Sequence, residues 1–188
     1  MKEILTIAVF LISSTSLFAQ NYTGKTTIVG VNPFGLLVGL YSGSVGAIIN
    51  DGGNEMLFRG SYWSPPEPLD DLTLMAAGGE FRFYTAKNGK GFFYSGTFGA
   101  SYINWDYKTY SYDLNFNQVE TKESITGTVI SPGVNVGYRW AWNNGFTLAP
   151  TIGAAYSLGE IKASDGTVPD FKFDGFGISL GLGLGFMF

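Results

Sequence analysis

Neither cysteine nor histidine occurs anywhere in the 188-residue chain, and charged residues make up only 14% of it, against roughly a quarter in an ordinary soluble domain. The absence of cysteine excludes disulfides, thiolate metal sites, cysteine nucleophiles and a lipidated N-terminal cysteine. The absence of histidine removes the base on which a serine nucleophile depends. With a net charge of −4 and no basic stripe, the surface lacks what phosphate backbones require, and nucleic acid is not expected as a partner. The apolar run from Ile4 to Ile12 is nine residues long, too short to cross a bilayer as a helix. What the chain has in quantity is glycine, 27 residues, and aromatics, 16%. A soluble surface built from such a composition would be poorly hydrated.

Lys2, the apolar run, the polar stretch Ser13-Ser14-Thr15-Ser16 and then Leu17-Phe18-Ala19 have the layout of a secretory signal peptide. Residues 1–19 are therefore expected to be cleaved and residues 20–188 exported. In the remainder, apolar side chains recur every second residue, which is a β-strand period. From Phe176 to Phe188 the even positions are large and apolar, while the odd ones are Gly177, Ser179, Gly181, Gly183, Gly185 and Met187. The same rule places large side chains on one face and small ones on the other over residues 146–158, 130–142, 92–102 and 72–84. Residues 55–63 read as a further strand with Met56, Phe58, Gly60 and Tyr62 on one face and Leu57, Arg59, Ser61 and Trp63 on the other. Residues 44–50 and 26–39 are β-rich, but Pro33 and frequent glycines leave their facing open. The total is eight strands.

Asp51-Gly52-Gly53-Asn54, Asn88-Gly89 and Asn143-Asn144-Gly145 are tight-turn sequences. The links at 64–71, 106–124 and 159–172 are longer and more polar, and a short one is expected near Tyr41-Ser42-Gly43. Short connections on one side and long ones on the other, in chain order, predict an all-β fold: an eight-stranded, antiparallel, up-and-down transmembrane β-barrel. Closure supplies every backbone partner that hydrocarbon would deny an open sheet. An eight-stranded cylinder is narrow, so glycines are expected to point inward and large apolar groups outward. A soluble lipocalin-type barrel would reverse that facing. Tyr62, Trp63, Tyr102, Trp105 and Tyr156 fall near the long-connection ends, and Phe81, Phe83, Phe92, Tyr94, Trp140, Trp142, Phe186 and Phe188 near the short-turn ends. That distribution suits two interfacial girdles.

With these features the chain resembles the small eight-stranded outer-membrane barrels of Gram-negative bacteria, the group that includes the OmpA transmembrane domain and OmpX. The resemblance implies residence in the outer membrane, contact with its lipid and lipopolysaccharide, and a monomeric state. It also implies that the terminal Phe186-Met187-Phe188 serves as an aromatic assembly signal for the barrel-assembly machinery, with Phe186 and Phe188 as its aromatic members.

Members of that group include enzymes, adhesins, pores and anchors, so function rests on sites. Gly177-Ile178-Ser179-Leu180-Gly181 matches G-x-S-x-G, but a nucleophile elbow needs a strand-to-helix turn and a histidine. The related lipid-modifying barrels also use a catalytic histidine, and no enzymatic activity or cofactor is expected. Arg59, Glu80, Arg82 and Arg139 fall on inward faces and predict a lumenal ion-pair network, because an unpaired buried charge is strongly unfavourable. The long links are acidic, with Glu67, Asp70, Asp71, Asp113, Glu120, Glu123, Asp165 and Asp170 among them. Bridging of these carboxylates to anionic lipid headgroups by divalent cations is one use for them. Tyr107, Tyr110, Tyr112 and Phe116 are candidates for a contact surface toward an extracellular ligand. The expected function is a non-enzymatic envelope barrel with a structural role and loop-mediated binding or adhesion. The alternative is a narrow pore for ions or small solutes.

Overall fold

A computed structural model describes residues 25–65, 71–86, 89–112, 117–163 and 171–188. The expected signal peptide lies outside them. Eight strands form one closed ring in chain order: β1 Thr27–Val31, β2 Leu40–Ile49, β3 Asn54–Trp63, β4 Leu72–Tyr84, β5 Gly91–Tyr112, β6 Gln118–Ala141, β7 Phe146–Ala163 and β8 Phe171–Met187. Every neighbouring pair is antiparallel, including β1 with β8.

The registers fix the shape of the cylinder. Starting at Ile28, opposite residues run through Gly46, Leu57, Glu80, Thr97, Gly133 and Ala155 to Gly177 on β8. Ile28 itself pairs with Met187, so one circuit returns ten residues away on β8. With about 3.3 Å per residue and about 4.8 Å between strands, that stagger tilts the strands roughly 40° from the barrel axis.

Facing follows the alternation. Phe58, Val134, Phe176, Ile178 and Leu180 lie outside, the last two 73% and 81% exposed. On β5, Phe92, Tyr94, Phe98 and Tyr102 share that face. The span from Phe92 to Tyr102, ten residue steps on a tilted strand, covers about 25 Å along the axis. No described outward position inside this band is charged. Among the described strand residues, outward charges appear at the far ends of β5 to β8, at Asp106, Lys108, Glu120, Lys122, Glu160, Lys162, Lys172 and Asp174. At the short-turn end the outer aromatics pair, with Phe83 stacked on Tyr94 at 5.1 Å and Tyr138 tilted against Trp140 at 4.9 Å. Trp63 departs from the expected outer girdle. Half-buried, its indole Nε1–H donates to the Val38 carbonyl at 2.8 Å and ties down the rim.

Four expectations are corrected. Residues 26–39 are not one strand, because β1 stops at Val31 and Pro33–Leu37 form a short helix, α1. Pro33 has no N–H for a ladder and fits the first helical position, and Asn32 Oδ1 caps the turn by accepting from the Phe34 N–H at 3.1 Å. Tyr41-Ser42-Gly43 is no turn but part of β2. The turn is made instead by Gly39, at φ +78°, where a side chain would collide with the Ser64 carbonyl. Most of 106–124 and the flanks of 159–172 are strand, since β5, β6, β7 and β8 run on past the apolar band. With polar residues on both faces, these segments carry no apolar alternation to mark them as strand. Finally, the interior is small-lined only in its middle. At the short-turn end Ile28, Ile48, Leu57 and Met187 form a buried cluster, and Phe93 is fully buried.

Closure is uneven. β5 and β6 are in register over their whole facing lengths, Gly91↔Arg139 to Tyr112↔Gln118, whereas β1 meets β8 only from Ile28↔Met187 to Val31↔Leu184. Where β1 would continue along β8 the chain coils into α1 instead, and among the described residues no strand pairs with the β8 edge from Phe171 to Gly183 on that side.

Candidate functional site

Charged side chains enter the cylinder from three strands. Antiparallel register sets Glu55 of β3 opposite Arg82 of β4, and Arg82 opposite Ser95 of β5. Side chains directly opposite on one face stand about 5 Å apart, so these groups meet by construction. Glu80 accepts from Arg82 Nε at 2.8 Å and Nη2 at 3.1 Å, from Ser95 Oγ at 2.7 Å, and from Arg59 Nη2. Glu55 accepts from Arg139 Nη2 at 3.0 Å, pairs with Arg139 Nη1 at 2.8 Å, and accepts from the Tyr84 hydroxyl. Arg82 Nη1, 3.7 Å from Glu55, joins the two halves. The Arg82 guanidinium also lies 4.4 Å from the Phe93 ring centre, and that of Arg139 5.3 Å from the Tyr84 ring centre. Gly137, opposite Phe93, leaves the space the ring fills; a side chain there would come within 2.6 Å of Phe93 Cζ.

The structure thus brings Arg59, Glu80, Arg82 and Arg139 into one network, although Arg139 reaches it through Glu55 and not through Glu80. Glu55, the residue that sequence reasoning missed, is its most buried carboxylate. Extending the inward parity of Leu57 and Arg59 by one step toward the turn would have found it. Together with Phe93 and the apolar cluster, the network closes the short-turn end. Above it lies a cavity of about 420 Å³ lined largely by glycine, alanine, serine and threonine.

The hairpin beyond the band sorts the tyrosines differently. Tyr107 is half-buried and its hydroxyl donates to Glu123 at 2.8 Å, while Tyr110 is exposed. Their positions on β5 differ in parity, so the two do not share a face. Tyr112 closes β5, its side chain and Phe116 lying outside the described residues. Lys108 pairs with Glu120 at 2.9 Å, and that hydrogen bond holds its ammonium above the ordinary lysine range. At the opposite end Phe186 and Phe188 are 6.0 Å apart, and the Phe188 carbonyl accepts from Thr26 and Thr27 N–H at 3.2 and 3.1 Å, tying the chain end to β1.

Residues 61–165, from within β3 to just past β7, match the family model described as a protein of unknown function, DUF3575. The chain belongs to the DUF3575 family. The matched DUF3575 segment holds Glu80, Arg82 and Arg139 and leaves out Glu55 and Arg59. Among solved structures, the chain is similar to the N-terminal β-barrel domain of Pseudomonas aeruginosa OprF, at 14% identity and a TM-score of 0.44, covering 87% of this chain and 98% of that one. No curated protein matches it.

Proposed function

We propose that this DUF3575 chain is a non-enzymatic integral barrel of the outer membrane, exported by its N-terminal segment, which supports the envelope and presents the β5–β6 hairpin to the exterior. The observation that carries the reading is the pairing of a closed ring with an uncharged apolar outer band about 25 Å tall. A soluble protein gains nothing from exposing Phe176, Ile178 and Leu180 together, whereas hydrocarbon favours that arrangement and demands the closure. The filled short-turn end counts against a solute pore. No catalytic step is assigned to the barrel, and in this reading the acidic far ends and Tyr110 face lipopolysaccharide or an extracellular ligand.

Cell fractionation with gel mobility tests the proposal. The protein should partition with outer membranes, require detergent for extraction, and migrate differently before and after boiling in SDS. Recovery in detergent-free aqueous extracts would overturn it. In planar bilayers the purified protein should conduct no more than lipid alone.

A further inference from the structure

The lumenal charges do not balance. Among the described residues, two carboxylates, Glu55 and Glu80, face three guanidiniums, Arg59, Arg82 and Arg139. Both carboxylates are sealed, their side chains 0% and 1% exposed, as are Arg82 and Arg139 at 5% and 3%. Arg59 alone of the five is open, 44% exposed, at the floor of the cavity. The surplus positive charge is therefore the one the cavity presents. Glu80 already accepts from Arg82 and Ser95, and Arg59 spends one nitrogen on it, leaving the other donors of a five-donor guanidinium for whatever fills the space.

The wall beside Arg59 is made of hydroxyls. Ser44 stands directly opposite it on β2, and the next inward pair is Ser42 with Ser61. Ser44 donates to the Gly30 carbonyl, while Ser42 Oγ is buried without a hydrogen-bond partner among the described residues. Glu123, the remaining inward carboxylate described, is engaged by Tyr107 and Thr109 on the hairpin and does not line the cavity. A space of about 420 Å³ falls within the size range of small-molecule sites, with room for an ion and its remaining water.

We propose that this cavity binds a small oxyanion, a phosphate or carboxylate group, gripped by the open edge of Arg59 and by the hydroxyls of Ser42 and Ser61. Planar guanidinium forks match such groups in two parallel hydrogen bonds, and charge-assisted bonds are the strong ones. The group could belong to a free anion or to the headgroup of a lipid entering where β1 leaves β8, since the Ser61–Ser42 row continues to Asn32, whose N–H donates to the Ser42 carbonyl, at the edge of that opening.

The test titrates the full folded chain in a nonionic detergent at constant ionic strength, once with inorganic phosphate and once with dihexanoyl phosphatidic acid. Backbone NMR shifts at Ser42, Arg59 and Ser61 are the readout. Saturable one-site shifts with inorganic phosphate are expected and assign the free ion. Saturation by the short-chain lipid alone assigns the headgroup. Arg59→Gln should weaken binding at least tenfold, Arg59→Lys less so, and Ser42→Ala severalfold, each variant retaining the unboiled gel mobility of the folded barrel. Absence of saturation with both probes, or an affinity unchanged in folded Arg59→Gln, overturns the site.

Discussion

Glu55 is the most deeply buried carboxylate of the lumenal network. Its carboxylate is wholly buried and holds Arg139 and Tyr84 directly, with Arg82 nearby. Removing that charge strands buried guanidiniums, and breaking a buried pair from one side costs about 3–5 kcal/mol. Glu55→Gln should therefore lower the unfolding free energy by that amount, measured by urea unfolding in lipid vesicles. Arg59→Gln should cost much less, because the Arg59 side chain is 44% exposed and its pairing with Glu80 is correspondingly screened. The double variant Glu55→Gln/Arg139→Gln should recover part of the loss, since it leaves fewer charges unpaired. The sequence made Arg59, Glu80, Arg82 and Arg139 legible because strand parity is a strict rule and charges on an inward face are few. Glu55 was hidden by its position next to a tight turn, where the boundary between strand and turn is least defined. The contact of Arg139 with Glu55, eighty-four positions earlier, depended on register across several strands, which no local pattern encodes.

Elements differ in how firmly the ring holds them. β5 and β6 are paired along their full facing lengths and each has another strand beyond, whereas among the described residues β8 has β7 on one side and, from Phe171 to Gly183, no strand on the other. Amides aimed at a missing strand exchange without any unfolding event. In hydrogen exchange on the detergent-solubilised barrel, alternate amides of β8 between residues 171 and 183 should exchange on the order of a hundredfold or more faster than those of β5 and β6 between residues 92 and 100. Uniform protection of β8 would mean that residues 32–38 zip onto it as strand. The existence of β3 to β8 was legible because their alternation runs for many residues between turn signals. The first two strands were counted, but their bounds and facing were not legible, because glycine at 35, 39, 43 and 46 and Pro33 erase the alternation, and a five-residue helix is too short to show a period of its own.

At the scale of the whole molecule, the fold solves one solvent problem. Among the described residues, backbone polarity is satisfied wherever neighbouring strands of the ring pair, charge lies in the plugged lumen and at the ends beyond the apolar band, and the outer surface between is uncharged. Connection lengths made this order readable from sequence, but the large inward groups at the short-turn end did not follow from it, because the size rule that fits the glycine-lined middle says nothing about how one mouth is sealed. The proposed membrane gives the surface a depth-dependent prediction. Val134 lies outward and exposed in the middle of β6 within the apolar band, whereas Lys162 lies outward at the far end of β7. An arginine at the bilayer midplane costs about 2–4 kcal/mol, falling to about 0–1 kcal/mol near the interfaces. Val134→Arg should therefore lower folding stability in lipid vesicles by the first amount, and Lys162→Arg should leave it unchanged. Both sites are exposed in the isolated molecule, so exposure alone predicts no difference between them. A difference requires hydrocarbon around one and water around the other, and equal stabilities would place both in water.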